Sequence, residues 1–459
     1  MSTTSPTAQD FCQALLRLDI NCAKALTNLV MALASHKTDS VVALSQSPFY
    51  HYQYSSIADA IDALCREPTQ YEALSQLSQQ FCMGFHQPPS HKVYHLNSDT
   101  TTLLKAHSPT LQERSRVYVP NTVIAGNKPL GISTITLSEY DGWQLTLSMK
   151  RLEVSQSATE CLLGQLSVIF SHTQLLFAKA ELVVNRLDRA YGNGAYLAPS
   201  YAHKNLVSIV RLRQGQKVWM AAKESPTTNR PPGRTRIYCP TPHYLQPTSG
   251  LRAYTYKGKQ SQVYQQSIFD APHSRGQVGS LTGKGRRLIH TLQGWDNILL
   301  RTKGGHTMSD KPLTLVGITT HDAVTGEAVF REPMLLVVSG LQKGAITLEM
   351  AFDAYLRRYG IEPFFRFNKQ QLLLDSFQTP DRQHLDNWLV VVQLAVWLLY
   401  LTAHEAGFRC AKWQAYCPRA KTGANEGSGR LSLAQARKSA GFLFLTFPVT
   451  AFLPHRRSD

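Results

Sequence analysis

The stretch that decides the fold covers residues 182–212 and reads LVVNRLDRAYGNGAYLAPSYAHKNLVSIVRL. Its opening run, Leu182-Val183-Val184, ends at Asp188 and is bounded by polar residues, which is typical of a strand buried on both faces. The segment from Ala190 to His203 predicts a helix, and Leu206 to Leu212 predicts another strand. A strand, a helix and a strand in succession indicate an α/β fold built on a mixed sheet.

Upstream of this stretch, the sequence changes from helical to strand-like character. Residues 10–85 have apolar positions at spacings of three and four, with few glycines or prolines, which predicts helices. Residues 143–150 alternate apolar and polar side chains, as a half-buried strand does. A helix is predicted over 158–170. There are three other strand candidates. The first begins at Lys92 and leads to Asp99-Thr100-Thr101, and the other two cover 116–124 and 130–137.

These patterns divide the chain into five predicted segments. Between 213 and 340, prolines and glycines punctuate short β-rich runs, which indicates an insertion in the α/β core. Helical periodicity returns at Leu348. The predicted segments are a helical N-terminal domain at 1–88, the first part of the core at 89–212, the β-rich insertion at 213–340, the second part of the core at 341–403 and a helical tail at 404–459.

The charge of the chain favours an anionic partner. It has 459 residues, with 48 Lys and Arg against 31 Asp and Glu, for a formal charge of +17. Between Tyr201 and Lys311 there are 18 basic residues and only four acidic ones. Neutralising nucleic-acid phosphates is the favoured use of such a density. A merely solvated basic face stays open as the alternative.

Several other classes of protein find no support in the sequence. The eight cysteines form no C-x-x-C pair, so neither a zinc ribbon nor a redox motif is indicated, and we expect buried thiols of a reducing compartment. Gly192-Asn193-Gly194 has Leu197 where a dinucleotide fingerprint needs its third glycine. The first ten residues lack a signal-peptide core, and the apolar run 388–403 is short and interrupted. We therefore expect a cytoplasmic protein without a membrane partner.

The most informative motif lies at 355–369 and reads YLRRYGIEPFFRFNK. On a straight helix at 100° per residue, Tyr355, Arg358, Glu362 and Lys369 would fall within a stripe of roughly 60°. A carboxylate flanked by cations and a phenol suits a metal on the acid and DNA phosphates on the bases. The glycine and proline on either side of Glu362 predict a kink, or a helix that begins at Pro363.

This Y-x2-R-x3-E-x6-K pattern resembles the signature of the DDE transposases of bacterial insertion sequences. The resemblance covers roughly residues 90 to 400. It implies a ribonuclease H-like mixed sheet with flanking helices, interrupted by a β-rich insertion, with one Asp on the first core strand and another at the end of the fourth. It implies the following site residues: Asp99, Asp188 and Glu362 as catalytic acids and metal ligands, and Tyr355, Arg358 and Lys369 as DNA contacts.

The implied chemistry is metal-dependent DNA cleavage at transposon ends, followed by strand transfer into target DNA. Two divalent ions roughly 4 Å apart can activate the attacking water and stabilise the leaving oxygen, and three carboxylates can hold two Mg²⁺ ions, with Mn²⁺ as a substitute. The implied partner is double-stranded DNA, with a homodimer once two ends are synapsed. A nuclease without strand transfer and an inactive, domesticated DNA-binding protein stay open.

Simpler roles also stay open for the single residues. Asp99 and Asp188 are each equally well explained as a cap or turn residue. Glu362 is also suited to a surface ion pair with Arg358. For Trp219 and Trp295 in the insertion, a core position is favoured over stacking on a base.

Overall fold

The computed structural model forms two compact units. The first unit consists of Met1–Ser90, Asn97–Lys179 and Tyr359–Asp459, and the second of His91–Leu96 and Ala180–Arg358. The predicted strand at 116–124 lies outside the described residues. The structure describes residues 6–18, 22–64, 81–86, 93–105, 107–108, 110–111, 130–139, 142–153, 155–171, 177, 180–213, 216–220, 243–245, 249–256, 259–301, 308–405 and 431–447.

The described elements alternate along the chain as an α/β protein requires. The α-helices are α1 (Ala8–Leu16), α2 (Ala23–Ser35), α3 (Ser55–Asp62), α4 (Ala158–Ser171), α5 (Gly194–Ser200), α6 (Leu348–Arg357), α7 (Ile361–Gln371), α8 (Arg382–Glu405) and α9 (Leu433–Phe444). The strands are β1 (Val93–Leu103), β2 (Leu130–Ser138), β3 (Gln144–Arg151), β4 (Leu182–Leu187), β5 (Leu206–Arg211), β6 (Lys217–Met220), β7 (His243–Tyr244), β8 (Gly250–Tyr256), β9 (Lys259–Gln265), β10 (Ser274–Leu281), β11 (Arg287–Leu299), β12 (Leu313–Asp322) and β13 (Met334–Ser339).

In the first unit the strand order is β3-β2-β1, and β2 pairs antiparallel with β3. Helix α4 packs on β2 and β3, and the long helix α8 packs on β3. The Trp397 indole of α8 donates to the Thr146 carbonyl of β3 at 2.8 Å. Arg151 of β3 pairs with the buried Asp386 of α8 at 3.1 Å. The ring nitrogen of Trp397 and the charges of Arg151 and Asp386 therefore all have partners at this largely apolar interface. Without partners, buried polar groups would destabilise the fold.

Helix α8 is the centre of the first unit. By length and composition it is the one helix of the described chain that could cross a membrane, and its apolar window is entirely buried in the structure. The core helix of a soluble protein meets the same criteria. The predicted apolar run at 388–403 is therefore confirmed as a buried helix.

The N-terminal helices cover α8 instead of forming a domain of their own. Helices α1, α2 and α3 all pack against α8. The Asn387 side chain of α8 donates to the Ile61 carbonyl of α3 at 2.8 Å. Leu29 of α2 is fully buried. The predicted boundary at residue 88 thus differs from the observed unit, because contacts distant in sequence join residues 1–90 to the later helices.

In the second unit the sheet runs in the order β1-β4-β5-β13-β12-β11-β6-β7, and β10 pairs with β11. Every residue of β4 is buried, as the apolar run at its start predicts. Strands β4 and β5 are parallel, and β13 pairs antiparallel with β5. Strands of the predicted 213–340 insertion therefore continue the sheet of the core, and the second unit joins 91–96 to 180–358. The large mixed sheet and the helices that flank it together confirm the predicted α/β class.

Helix α6 covers one face of this second sheet. A buried cluster joins apolar residues of α6, among them Phe352 and Tyr355, to residues of β4, β5, β11, β12 and β13. Trp295 is fully buried, its ring lies 5.1 Å from that of Phe269, and it donates to the Ala271 carbonyl at 3.0 Å. The favoured core position of Trp295 is therefore confirmed. One of the described cysteines, Cys22, is exposed, against the expectation of buried thiols.

We predict that the N-terminal helices unfold together with the rest of the first unit. Leu29→Ala removes buried methyl groups from α2 and should lower the free energy of unfolding by about 2–5 kcal/mol. Urea unfolding followed by far-UV circular dichroism and tryptophan fluorescence should give coincident transitions. Val42→Ala is the control, since Val42 is 60% exposed and its loss should change stability by less than about 0.5 kcal/mol. A separate early transition of the N-terminal helices would contradict this prediction.

Candidate active site

Asp99 lies inside strand β1. It is partly buried, and its Oδ1 accepts a hydrogen bond from the Thr100 backbone N–H at 2.8 Å. Strand β1 continues to Leu103, so Asp99 is neither a helix cap nor a turn residue. The simpler explanation for this aspartate is therefore wrong, and its expected position on the first strand of the sheet is confirmed.

The motif at 355–369 is interrupted by a break between two helices. Helix α6 ends at Arg357, a 3₁₀ turn covers Arg358–Gly360, and α7 begins at Ile361. Pro363 is the third residue of α7, where the backbone N–H groups have no partner within the helix, so the missing donor costs little. The single straight helix is therefore wrong, and the new helix begins two residues earlier than the alternative start at Pro363.

Tyr355 and Arg358 are buried in the second unit. Tyr355 is fully buried in the cluster under α6, Arg358 is 6% exposed, and the guanidinium carbon lies 5.6 Å from the centre of the phenol ring. Neither side chain offers a surface that DNA could reach in this arrangement. We therefore give both residues a packing role and do not carry their predicted DNA contact into the proposal below.

Glu362 has a different environment. It is exposed and lies in the first turn of α7. It forms no ion pair with any residue in the part of the chain that the structure describes. A carboxylate at a helix N-terminus is favoured by the helix dipole, and it is accessible here to a ligand. The surface ion pair that the spacing suggested is not formed.

The start of α7 lies next to β3 and β1. A Cβ placed on Gly360 would approach the Gln144 side-chain nitrogen to 2.9 Å, so the backbone at this position touches that amide. The same Gln144 accepts a hydrogen bond from the Asn97 side chain at 2.8 Å. Asn97 precedes Asp99 by two residues, so both side chains project from the same face of β1. The start of α7 is therefore joined to Asn97 of β1 through Gln144.

The end of α7 contacts β1 further along. Lys369 Nζ donates to the Thr102 carbonyl at 2.6 Å. Burial lowers the pKa of Lys369, and the neighbouring Asp375 raises it in part. The ammonium group therefore serves a backbone carbonyl of β1 in this structure, instead of lying free on the surface for DNA.

These two contacts tie α7 to the part of β1 that carries Asp99. From Gly360 to Lys369 a helix rises by about 13 Å, and from Asn97 to Thr102 a strand advances by about 17 Å. The contacts at the two ends of α7 therefore follow one another along β1 in the same direction. Glu362 and Lys369 are separated by about 20° around the helix axis, so both face the strand. Interpolation along the two elements sets Glu362 level with about Ser98, the residue before Asp99.

A buried lysine holds the segment that follows α7. Lys105 is 2% exposed, and its Nζ donates to the carbonyls of Leu374 at 3.1 Å and Phe377 at 2.7 Å. The Leu104 N–H donates to Asp375 Oδ1 at 2.8 Å. Sequence reasoning missed this contact, because a single lysine after a strand carries no spacing signal. The segment after β1 and the segment after α7 are thereby fixed to each other.

Asp188 belongs to the second unit. It follows β4 directly, is partly buried and occupies the N-cap of the 3₁₀ turn Arg189–Tyr191. Its side chain accepts no cap hydrogen bond, so the capping role that was its simpler explanation is not fulfilled. A Cβ on Gly192 would lie 2.7 Å from the Arg211 carbonyl, so this tight turn requires glycine. The expected position of Asp188 at the end of the fourth strand is confirmed.

The donor chemistry of these residues suits a hard divalent cation. Carboxylate oxygens are the ligands that Mg²⁺ and Mn²⁺ accept most readily. Within the described ranges there is no ready-made cluster of three or more His, Cys, Asp or Glu side chains. Asp99 and Glu362 in the first unit, and Asp188 in the second, each carry a ligand of this type.

We predict a pH dependence that isolates Lys105. Burial lowers the pKa of Lys105 to about 8, with a smaller opposing effect of Asp375, from an ordinary value of 10.5. Between these two values the unfolded chain binds more protons than the folded chain, so the contribution of Lys105 to stability increases with pH. Between pH 7.5 and 9.5 the difference in unfolding free energy between wild type and Lys105→Met should change by on the order of 2 kcal/mol in favour of wild type. Urea unfolding at both pH values measures it, and a pH-independent difference would contradict the buried position of this amine.

Comparison with known proteins assigns no family. No family model matches the chain, and no curated protein matches it. The resemblance to DDE transposases therefore depends on the motif at 355–369 and on the positions of the acids.

Proposed function

We propose that this protein is a transposase that cleaves DNA at transposon ends and joins the freed ends to target DNA, with Asp99, Asp188 and Glu362 as its acids. The observation that supports the proposal is that α7, which carries the exposed Glu362, is bonded through Lys369 to β1, the strand that carries Asp99. Three acidic residues occur in the elements and in the order that the resemblance requires. All three have lost their simpler explanation as a cap, a turn residue or an ion pair.

We further propose a ribonuclease H-like core. The sheet begins with the order β3-β2-β1-β4-β5, with β2 and β3 antiparallel and β4 and β5 parallel. One aspartate lies on the first strand, and another follows the fourth. Strands β6 to β13 lie between β5 and the helix that carries Glu362, at the place where the resemblance requires a β-rich insertion. This order of elements supports the assignment.

The three carboxylates would hold two Mg²⁺ ions, and bound Mg²⁺ would supply an activated water and charge stabilisation for the leaving oxygen. Asp99 contributes from a strand whose backbone is fixed by its neighbours, so its carboxylate is held in place. Glu362 contributes from the first turn of a helix that is anchored at both ends. Such rigid support is what a catalytic centre needs to keep its ligands in productive geometry.

The proposed reaction has two steps. Water attacks a phosphodiester phosphorus at the transposon end, the P–O3′ bond breaks, and the products carry a 3′-hydroxyl and a 5′-phosphate. The freed 3′-hydroxyl then attacks a phosphorus of the target DNA, and a target 3′-hydroxyl leaves. The proton count balances because each attacking oxygen loses a proton and each leaving oxygen gains one. No side chain is bonded to DNA along this course.

The role of Lys369 changes in this proposal. Its ammonium donates to the Thr102 carbonyl, so we assign it to holding α7 on β1. DNA phosphates would then be neutralised by other cations, of which residues 201–311 have a large excess. The cytoplasmic location and the homodimer on synapsed DNA stay predictions that accompany the proposed function.

The first test is excision of a marker placed between the gene's own flanking DNA. Glu362→Gln should abolish excision at equal protein level, because the amide cannot replace the carboxylate as a cation ligand. Glu349→Gln is the matched control, since Glu349 is also an exposed acid in the first turn of a helix. Excision by wild type and control but not by Glu362→Gln supports the proposal. Equal excision by all three proteins would assign Glu362 a structural role only.

A second test separates a metal ligand from a structural acid. Asp99→Cys should lose DNA nicking in Mg²⁺ and regain part of it in Mn²⁺, because a thiolate binds Mn²⁺ better than Mg²⁺. The measurement is nicking of a supercoiled plasmid that carries the flanking DNA, in each ion. Asp353→Cys, an exposed acid paired with Arg357, is the control and should behave as wild type in both ions. Full activity of Asp99→Cys in Mg²⁺ would contradict ligation by Asp99.

Joined products decide between transposase and nuclease. A transposase should covalently link the cut end to a second plasmid, whereas a nuclease of the same fold should leave only cut ends. Gel analysis of labelled ends distinguishes the two outcomes. Cleavage without joining, under conditions in which both plasmids are bound, would favour the nuclease.

A further inference from the structure

The β10–β11 hairpin of the second unit has an unusual charge. The two strands pair antiparallel from Ser274 with Gly294 to Leu281 with Arg287. Residues 274–295 contain four basic side chains and no Asp or Glu. The basic residues of this hairpin are Arg275, Lys284, Arg286 and Arg287.

The cations at the tip of the hairpin differ in how far they are neutralised. Arg286 pairs with Asp322, whose pKa this guanidinium, together with backbone N–H groups, holds well below its usual value. Lys284 and Arg287 are exposed, and neither forms an ion pair with any residue that the structure describes. Two uncompensated charges therefore face solvent at the tip.

Two acids near the hairpin, Glu349 and Asp322, do not neutralise these two cations. Glu349 of α6 approaches the hairpin at Gly276, near the opposite end from the tip. Asp322 is engaged by Arg286 and by the N–H groups of Val324 at 2.8 Å and Thr325 at 3.0 Å. The electrostatic potential of the tip is therefore positive, and it should attract a polyanion.

The tip is a defined turn. Gly285 has a φ of 79°, and its N–H donates to the Thr282 carbonyl at 2.8 Å. The Thr282 N–H donates to the Arg286 carbonyl at 2.9 Å, and Thr282 Oγ1 accepts from the Arg286 N–H at 3.0 Å. Because the backbone is fixed by these bonds, Lys284 and Arg287 lose little backbone entropy on binding a ligand.

We propose that the β10–β11 tip binds duplex DNA, with Lys284 and Arg287 as phosphate contacts. This inference rests on the proposed function, which supplies DNA as the partner. A two-stranded antiparallel ribbon is one of the elements that the major groove of about 12 Å width admits. Exposed Lys and Arg side chains on such a ribbon are the groups that bind DNA phosphates.

The test compares two pairs of lysine and arginine substitutions in the full-length protein. Lys284→Gln with Arg287→Gln removes the proposed contacts. Lys37→Gln with Lys438→Gln removes two exposed positive charges from the first unit and is the control. Binding to a short duplex is measured between about 50 and 200 mM salt. Each lost phosphate contact should reduce the salt slope of log K by about 0.9, so the tip variant should lose about 1.8.

The outcomes separate this inference from the proposed function. A slope reduced in the tip variant and unchanged in the control supports a DNA contact at the tip. If wild type binds duplex and the tip variant has the slope of the control, the tip inference is wrong while the DNA partner stands. If wild type binds no duplex at any salt concentration, both the inference and the proposed function are wrong. Thermal unfolding of each variant verifies that the fold is retained, and Gly285 is left in place for that reason.

Discussion

The attachment of α7 and the segment after it to β1 depends on lysine ammonium groups that donate to backbone carbonyls. Lys369 binds the Thr102 carbonyl from α7, and Lys105 binds the Leu374 and Phe377 carbonyls from the segment after β1. A hydrogen bond from a charged donor contributes about 1.5–3 kcal/mol, and a carbonyl left without a donor costs about 1–3 kcal/mol. The two contacts are reciprocal, since each segment supplies the cation for the other. Together they hold α7 and the segment after it on β1, the strand that carries Asp99.

A third cation extends this arrangement to the C-terminal helix. Arg437 of α9 is 6% exposed, and its guanidinium donates to Gln371 Oε1 at 2.8 Å and to the His36 carbonyl at 2.6 Å. Burial lowers the pKa of Arg437 to about 10. Gln371, the last residue of α7, is therefore held by α9. The sequence pattern predicted α9 as part of a separate C-terminal tail. Helices from both ends of the chain thus support the one helix that carries the proposed glutamate, which explains why the first unit is discontinuous in sequence.

Sequence patterns predicted the local elements well, because periodicity depends on the burial of nearby side chains. The alternation at 143–150 became β3, and the apolar run at 182 became a strand buried throughout. The patterns did not predict how the elements are grouped. The prolines and glycines of the β-rich segment predicted an insertion separate from the core. In the structure, however, β13 of this segment pairs with β5 of the core, and no local pattern encodes that contact.

The motif at 355–369 shows the same division between local and distant information. The glycine and proline around Glu362 predicted a break, and the break occurs as a 3₁₀ turn. The shared stripe of four side chains required a straight helix, and it fails because Tyr355 is buried under α6 while Arg358 is buried in the 3₁₀ turn that follows. Glu362 and Lys369 keep their common face, since both lie after the break. What determines their function is β1, which lies more than 250 residues earlier in the chain.

The central claim is that Asp99 and Glu362 share a divalent cation. The most direct measurement is Mn²⁺ binding to the purified protein without DNA. The concentration of free Mn²⁺ is monitored by electron paramagnetic resonance. We predict that Asp99→Asn and Glu362→Gln each weaken Mn²⁺ binding by about tenfold or more. The double variant should bind Mn²⁺ only slightly more weakly than either single variant, because the two ligands act on one ion. Glu349→Gln should bind as wild type does. Independent effects of the two substitutions, or Mn²⁺ binding that neither substitution changes, would contradict a shared site.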